Sequence, residues 1–322
     1  MIVNTLKDVR DQVLSALDEA GNTGNLKTNI NYAINSAQQA RLSGRKWPFL
    51  RWSSPQTINT VASTRLYALH PELGMLEYLY NVTRKAYMVE VPERNIESLG
   101  VWNRDYDHRY FRLGEIWQVN AQPSAASAIS VVSTSASDTT QTLTVRGDVS
   151  GNLMDETITL TGTSTATGSR SFSKILGLTL SAVGAGDISV KAGAATLVTI
   201  PIGELGRAYK TIELITLPTA AEELEYMFYR QPRVLSADND MIEIPNPHGG
   251  LLVWDTLLLM AGYVTDLSKA SLEVWRNMQQ RAESAFEQEW LNPQTRGAQP
   301  RYVRNLDTLP STGVAWFGTA VG

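Results

Sequence analysis

Apolar residues recur every three or four positions at both ends of the chain and on alternate positions in its middle, and this change of period divides the protein. Near the start, Leu6, Val9, Val13, Leu14 and Leu17 step at helical intervals, with Lys7, Arg10, Asp11 and Glu19 between them. This predicts an amphipathic helix that Gly21 stops. A second helix is expected from about Asn25, with Leu26, Ile30, Ala33, Ile34 and Ala37 as its stripe and Gly44 as its C-cap. Arg45-Lys46-Trp47-Pro48-Phe49-Leu50-Arg51-Trp52 follows, where Pro48 forbids helical continuation and the aromatic rings need an apolar surface.

Short β segments are then predicted at Thr57–Val61, Arg65–Leu69, Lys85–Val91 and Ile116–Val119, with a short helix and an aromatic loop between Pro92 and Tyr110. Composition changes abruptly from about Ala121 to Leu205. About a third of these residues are Ser or Thr, and Phe172 is the one aromatic, although the chain holds 6 Phe, 8 Trp and 12 Tyr. Six Thr/Val/Ile-rich runs, Ala128–Val132, Gln141–Val145, Glu156–Leu160, Ser171–Leu180, Ile188–Val190 and Leu197–Ile202, suggest a small antiparallel sandwich of immunoglobulin-like type, without the Cys and Trp hallmarks of antibody domains. Strands at Lys210–Leu217 and Glu225–Arg233 resume the earlier style, so the sandwich reads as an insertion into a host sheet.

After Pro245-Asn246-Pro247, Leu251, Leu252, Trp254, Leu257, Leu258 and Ala261 predict a helix apolar on most faces, and therefore the most buried one. A last helix from about Ser268 carries Leu272, Trp275, Met278, Ala282, Ala285 and Phe286. The expected class is α+β: helix pairs at the two termini forming a four-helix bundle, a central antiparallel β region, and an inserted immunoglobulin-like sandwich. The divisions are 1–52 (helical hairpin), 53–120 and 206–245 (the two parts of the β region), 121–205 (the insertion), 246–291 (the second helix pair) and 292–322 (an extended arm). The arm holds Pro293, Pro300 and Pro310 and no clear period, which predicts disorder in isolation. Ordering a backbone costs about 1–2 kcal/mol per residue, and burying a large side chain such as Tyr302, Trp316 or Phe317 returns only about 1.5–3 kcal/mol. An ordered arm would therefore need extensive pairing, most economically along a neighbouring subunit.

Composition closes several kinds of chemistry. With 0 Cys there is no disulfide, thiolate nucleophile or Cys-ligated metal, and 3 His (His70, His108 and His248) leave little for His-rich sites or triads. A net charge of −4 gives no global basic field for nucleic acid. The N-terminus lacks the pattern of a signal peptide, and the run Leu251–Val264, broken by Asp255, is too short to span a bilayer, so a soluble protein of the cytoplasm is expected.

No phosphate loop, dinucleotide fingerprint, nucleophile elbow or His-Glu-x-x-His occurs. Asp105-Tyr106-Asp107-His108 has metal-ligand residue types but reads better as a polar loop neutralised by Arg104 and Arg109. Asp238-Asn239-Asp240 with Glu243 lacks the central Gly and twelfth-position Glu of a calcium loop and reads as a turn. The acid pairs Glu222-Glu223 and Asp155-Glu156 read as turn or solvated-face residues. Arg45, Lys46 and Arg51 around Trp47, Phe49 and Trp52 are residue types that bind single strands, but the aromatics are better read as a plug at the bundle/sheet junction beneath snorkelling charges. No catalytic, cofactor or metal site is assigned, and the chain is not expected to be an enzyme.

The helical hairpin running into Ala40-Arg41-Leu42-Ser43-Gly44-Arg45-Lys46-Trp47-Pro48-Phe49-Leu50-Arg51 resembles the first half of the head-to-tail adaptor proteins (connectors, tail tubular protein A-like) of short-tailed bacteriophages. Leu251–Ala261 followed by Ala282–Trp290 resembles the paired C-terminal helices of that family. The resemblance covers residues 1–52 and 246–322, and more loosely the flanking strands; the family's short members lack the Ser/Thr-rich insertion. It implies a structural virion protein of the collar or tail, assembled in the host cytoplasm as a ring of about twelve copies. The portal protein would be one partner and the next tail component, a nozzle or tail tube, another; DNA would pass through the bore without sequence-specific binding, and no membrane would be involved. The arm residues Arg296, Arg301, Tyr302, Arg304, Trp316 and Phe317 become the portal-docking element. The insertion would face outward for docking or decoration, with tail fibres as a further contact. The alternative is an adhesin module of a phage tail, with the sandwich binding a host surface or glycan and the helices mounting it.

Overall fold

The computed structural model describes residues 3–17, 25–91, 110–261 and 269–291. It is α+β, with four α-helices and mostly antiparallel sheets among the described residues. The chain divides into two compact units, residues 1–34 with 246–322, and residues 35–245.

In the first unit, α1 (Leu6–Ala16) begins at a capping box. The Thr5 hydroxyl accepts from Asp8 N at 3.2 Å, and the Asp8 carboxylate accepts from the N–H groups of Thr5 and Asn4 at 3.0 and 3.1 Å. The backbone hydrogen bond from Asn4, joined by those from Thr5, holds the Asp8 carboxyl below its ordinary pKa. Leu6, Val9, Val13 and Leu14 are buried as the spacing requires. Arg10, expected between the apolar positions as a polar residue, is buried too, its Nη1 donating to Asn31 Oδ1 at 3.4 Å. α3 (Gly250–Met260) packs on α1 and on α4 (Lys269–Leu291). Six of the eleven residues of α3 are buried, as its nearly uniform apolar character predicts. In α4 the buried residues are Trp275 and Phe286, whereas Met278 is 39% exposed.

α2 (Asn25–Leu42) ends before Gly44, whose φ of +78° is the left-handed conformation of a helix C-cap. The second unit then builds two four-stranded sheets over one core. The first has the order β1 (Gln56–Asn59), β15 (Glu223–Arg230), β3 (Leu73–Asn81), β4 (Ala86–Tyr87). The second has the order β2 (Leu66–Ala68), β14 (Tyr209–Leu214), β6 (Tyr110–Trp117), β5 (Val89–Glu90), and its β5–β6 pair is parallel. Leu69, Leu79, Phe111, Ile212, Leu224, Tyr226 and Phe228 fill the space between them. The host is therefore two sheets where one was expected, and β3 was not foreseen: its side chains are half-buried along most of its length, so no alternation marks it.

Tyr209 pairs with Trp117 across β14 and β6, so residues 118–208 leave and return between two adjacent antiparallel strands, which is the topology of an insertion. That segment holds seven strands where six runs were read. Ser171–Leu180 is divided at Ser173 between β10 (Ala166–Phe172) and β11 (Lys174–Leu180), which belong to different sheets. One sheet is β10, β7 (Ser127–Ser133), β12 (Ile188–Ala192), β13 (Ala195–Ile200); the other is β11, β8 (Thr142–Val149), β9 (Asn152–Thr159). They share a core of Ile129, Val131, Leu143, Val145, Phe172, Ile188 and Val190, to which Trp117 and Tyr209 of the host contribute. The strand order differs from that of a constant-type immunoglobulin domain. A constant-type immunoglobulin domain groups ABED against CFG, whereas here the second strand of the insertion pairs with the third and the fifth, and the first with the fourth and the sixth.

Candidate functional site

The aromatic segment after α2 is the sequence-nominated site that lies within the described residues. α2 has already ended at Leu42, so Pro48 does not stop it; Pro48 opens a 3-10 turn, Pro48–Leu50, whose first position suits its fixed φ. Trp47 is fully buried and stacks on Phe49, ring centroids 5.8 Å apart, and the Arg45 guanidinium lies 5.8 Å from the Trp47 ring. Past the turn the chain joins the first host sheet: Arg51 bridges to Tyr229, and Trp52 N donates to Phe228 O at 2.9 Å. Arg51 Nε meets Glu77 Oε2 at 2.7 Å.

Trp52 lies against a row of rings. It stacks on Phe228 at 5.1 Å and approaches His70 at 4.6 Å; His70 and Tyr226 each stack on Phe228, at 5.2 and 6.0 Å. His70 N donates to Tyr226 Oη at 2.9 Å, and His70 Nδ1 accepts from Glu72 N at 3.2 Å. Burial lowers the pKa of His70, so the imidazole is neutral at pH 7, as an accepting Nδ1 requires. Burial likewise raises the Tyr226 phenol. The arrangement is an aromatic anchor that locks the chain leaving α2 onto the sheet, so Trp47 and Trp52 are packing residues and Phe49 is half-buried beside them.

The acidic pairs also resolve into supports. Glu222 is buried, with Oε1 2.7 Å from Arg84 Nη2 and Oε2 accepting from Asn81 Nδ2 at 2.6 Å, while Glu223 is exposed. Asp155 pairs with Arg146 at 2.7 Å, and Glu156 accepts from the N–H groups of Ser169 and Arg170 at a break in the β10 register. Asp240 accepts from Ser236 N and Ala237 N, so the Asp238–Asp240 segment is a turn as read, and Glu243 pairs with Arg230. Among the described residues no group of three or more His, Asp and Glu could hold a metal ion. His248 Nε2 lies 2.6 Å from Glu289 Oε2 at the base of α3.

Several nominated residues fall outside the described ones: the arm residues Arg296, Arg301, Tyr302, Arg304, Trp316 and Phe317, the loop Asp105–His108, Gly21 and Ser268.

The sequence reading missed a set of amides on α2. Asn35 bonds both backbone groups of Leu235, at 2.9 and 2.7 Å; Gln38, fully buried, donates to Arg233 O and accepts from Glu243 N, both at 2.9 Å; Gln39 donates to Pro232 O at 2.7 Å. They satisfy an extended segment after β15 that has no strand partner there. Their spacing, one helical turn apart on the buried side, was the available signal, but amides on a helix read as solvated surface until a backbone is placed beside them.

No protein-family model matches the chain, and no curated protein matches it. No helix of the described residues is long and apolar enough to cross a membrane.

Proposed function

We propose that the chain is a structural virion protein, a head-to-tail adaptor that joins the portal to the next tail component and lines the DNA exit channel as a ring of about twelve copies. The observation that carries the reading is the grouping of residues 1–34 with 246–322 in one compact unit, which is the arrangement expected if the helices of both termini form one bundle. The packing of α3 against both α1 and α4 supports the joining of three of these helices, and the place of α2 as the fourth is part of the proposal. A net charge of −4 suits a bore through which DNA slides. The inserted two-sheet domain sits outward on the collar as a docking or decoration element, and residues 292–322 dock on the portal.

The test is electron microscopy of the purified protein mixed with portal, which should show rings capping portal particles. A chain lacking residues 292–322 should remain folded and soluble but leave the portal bare. Normal portal binding by that truncated chain would remove the arm's role, and absence of rings with the intact chain would remove the adaptor reading.

A further inference from the structure

The first host sheet turns a second face away from its core. Leu79, Leu224, Tyr226 and Phe228 point inward, and strand alternation sends their neighbours outward. Register places Thr57, Glu225, Tyr80 and Tyr87 in one row across all four strands, with Tyr78 opposite Met227 in the next. Tyr87 is 66% exposed; its ring meets Tyr80 at 4.9 Å and Tyr78 at 5.9 Å, and Tyr78 Oη donates to Glu225 Oε1 at 2.8 Å. Glu223, on the same face, is exposed, and its carboxylate has no ion pair among the described residues. Three tyrosines beside two acids make a surface of the type that proteins use for contact: rigid amphipathic rings that lose little entropy on binding.

α4 carries a complementary stripe. Val274, Met278, Arg281 and Ala285 recur at helical spacing and are all exposed, Val274 at 57%, on a side away from buried Trp275 and Phe286. Arg281 has no ion pair among the described residues.

We propose that the tyrosine face of one copy receives the outward stripe of α4 from a second copy, with Met278 and Val274 against Tyr80 and Tyr87, and Arg281 against Glu223 and Glu225. Charge decides between this and self-pairing of the face: two copies of the acidic face brought together would oppose like charges, whereas the helix stripe brings a cation. Two different surfaces on one chain make a heterologous contact, which closes into a ring or propagates. The inference rests on the ring reading above and supplies its interface.

The test uses the full chain and mass photometry. Met278→Asp and Tyr87→Asp, each at an exposed position, should each weaken self-association by about tenfold or more. Each variant keeps one intact surface, so an equimolar mixture should yield dimers and nothing larger. Arg281→Glu should disassemble rings, and Arg281→Glu with Glu223→Arg should restore them. Rings unaltered by Met278→Asp and Tyr87→Asp, or no restoration by the charge exchange, would overturn the interface while leaving the ring reading intact. A wild-type chain that stays monomeric at every concentration would overturn both.

Discussion

Removing the carboxylate of Asp138 should loosen one end of the inserted domain selectively. Asp138 is fully buried and has neutral donors around it: Ala185 N at 2.8 Å, Gly186 N at 3.1 Å, Gln141 Nε2 at 3.2 Å and the Ser133 hydroxyl at 2.5 Å. It thereby ties the turn before β12 to the loop after β7. In Asp138→Ala the donors of Ser133 and Gly186, both buried, lose their acceptor at about 1–3 kcal/mol each, while Ala185 and Gln141 can turn to water. The expected loss is about 3 kcal/mol, which corresponds to about a hundredfold rise in local opening. Hydrogen exchange of the full chain reads this directly, through peptides covering residues 133–142 and 183–190, with the helices unchanged. Asp138→Asn keeps one acceptor oxygen, but its NH2 cannot accept from the donors at the other oxygen, so part of the loss should remain. Burial alone would push the Asp138 carboxyl up, but the hydrogen bonds from Ser133, Ala185, Gly186 and Gln141 outweigh it and hold the pKa below the ordinary value. The sign follows: this stability is present above the unfolded carboxylate pKa of about 3.9 and is lost as pH falls through the lower folded value. Protection within threefold of wild type in Asp138→Ala at pH 7 would refute the assignment of the network as the clasp of that turn.

Gln38→Ala removes the acceptor of Glu243 N and the donor to Arg233 O, so it should cost about 2–3 kcal/mol and raise protease cleavage within residues 232–243. Burial lowers the His70 pKa, so its contribution is complete above the unfolded histidine pKa of about 6.5 and declines as pH drops through the folded value; the urea midpoint should fall on acidification, and less so in His70→Phe. Gly147→Ala would place a methyl against the Lys174 carbonyl oxygen and 2.8 Å from Phe172 Cδ1, costing about 1–3 kcal/mol or more, seen as lower protection across β8 and β11.

By itself the sequence determined the parts whose cause is local. The apolar spacing set the positions of α1 and α3, Gly44 set the stop of α2, and the swing to Thr and Val together with the loss of aromatic residues set the limits of the insertion. These follow from side-chain periodicity and backbone conformational preference, which need no partner. Only the tertiary structure decided the rest. Whether Ser171–Leu180 was one strand or two depended on which sheets lay on either side of Ser173, and β3 became visible only when β15 and β4 stood beside it. Arg10, Gln38 and Glu222 have polar side chains that composition assigns to solvent; each is buried because its hydrogen-bonding partner lies at least 21 residues away in sequence. Burial of a polar group is permitted by the partner it meets, and meeting it is a property of the fold rather than of the neighbours along the chain.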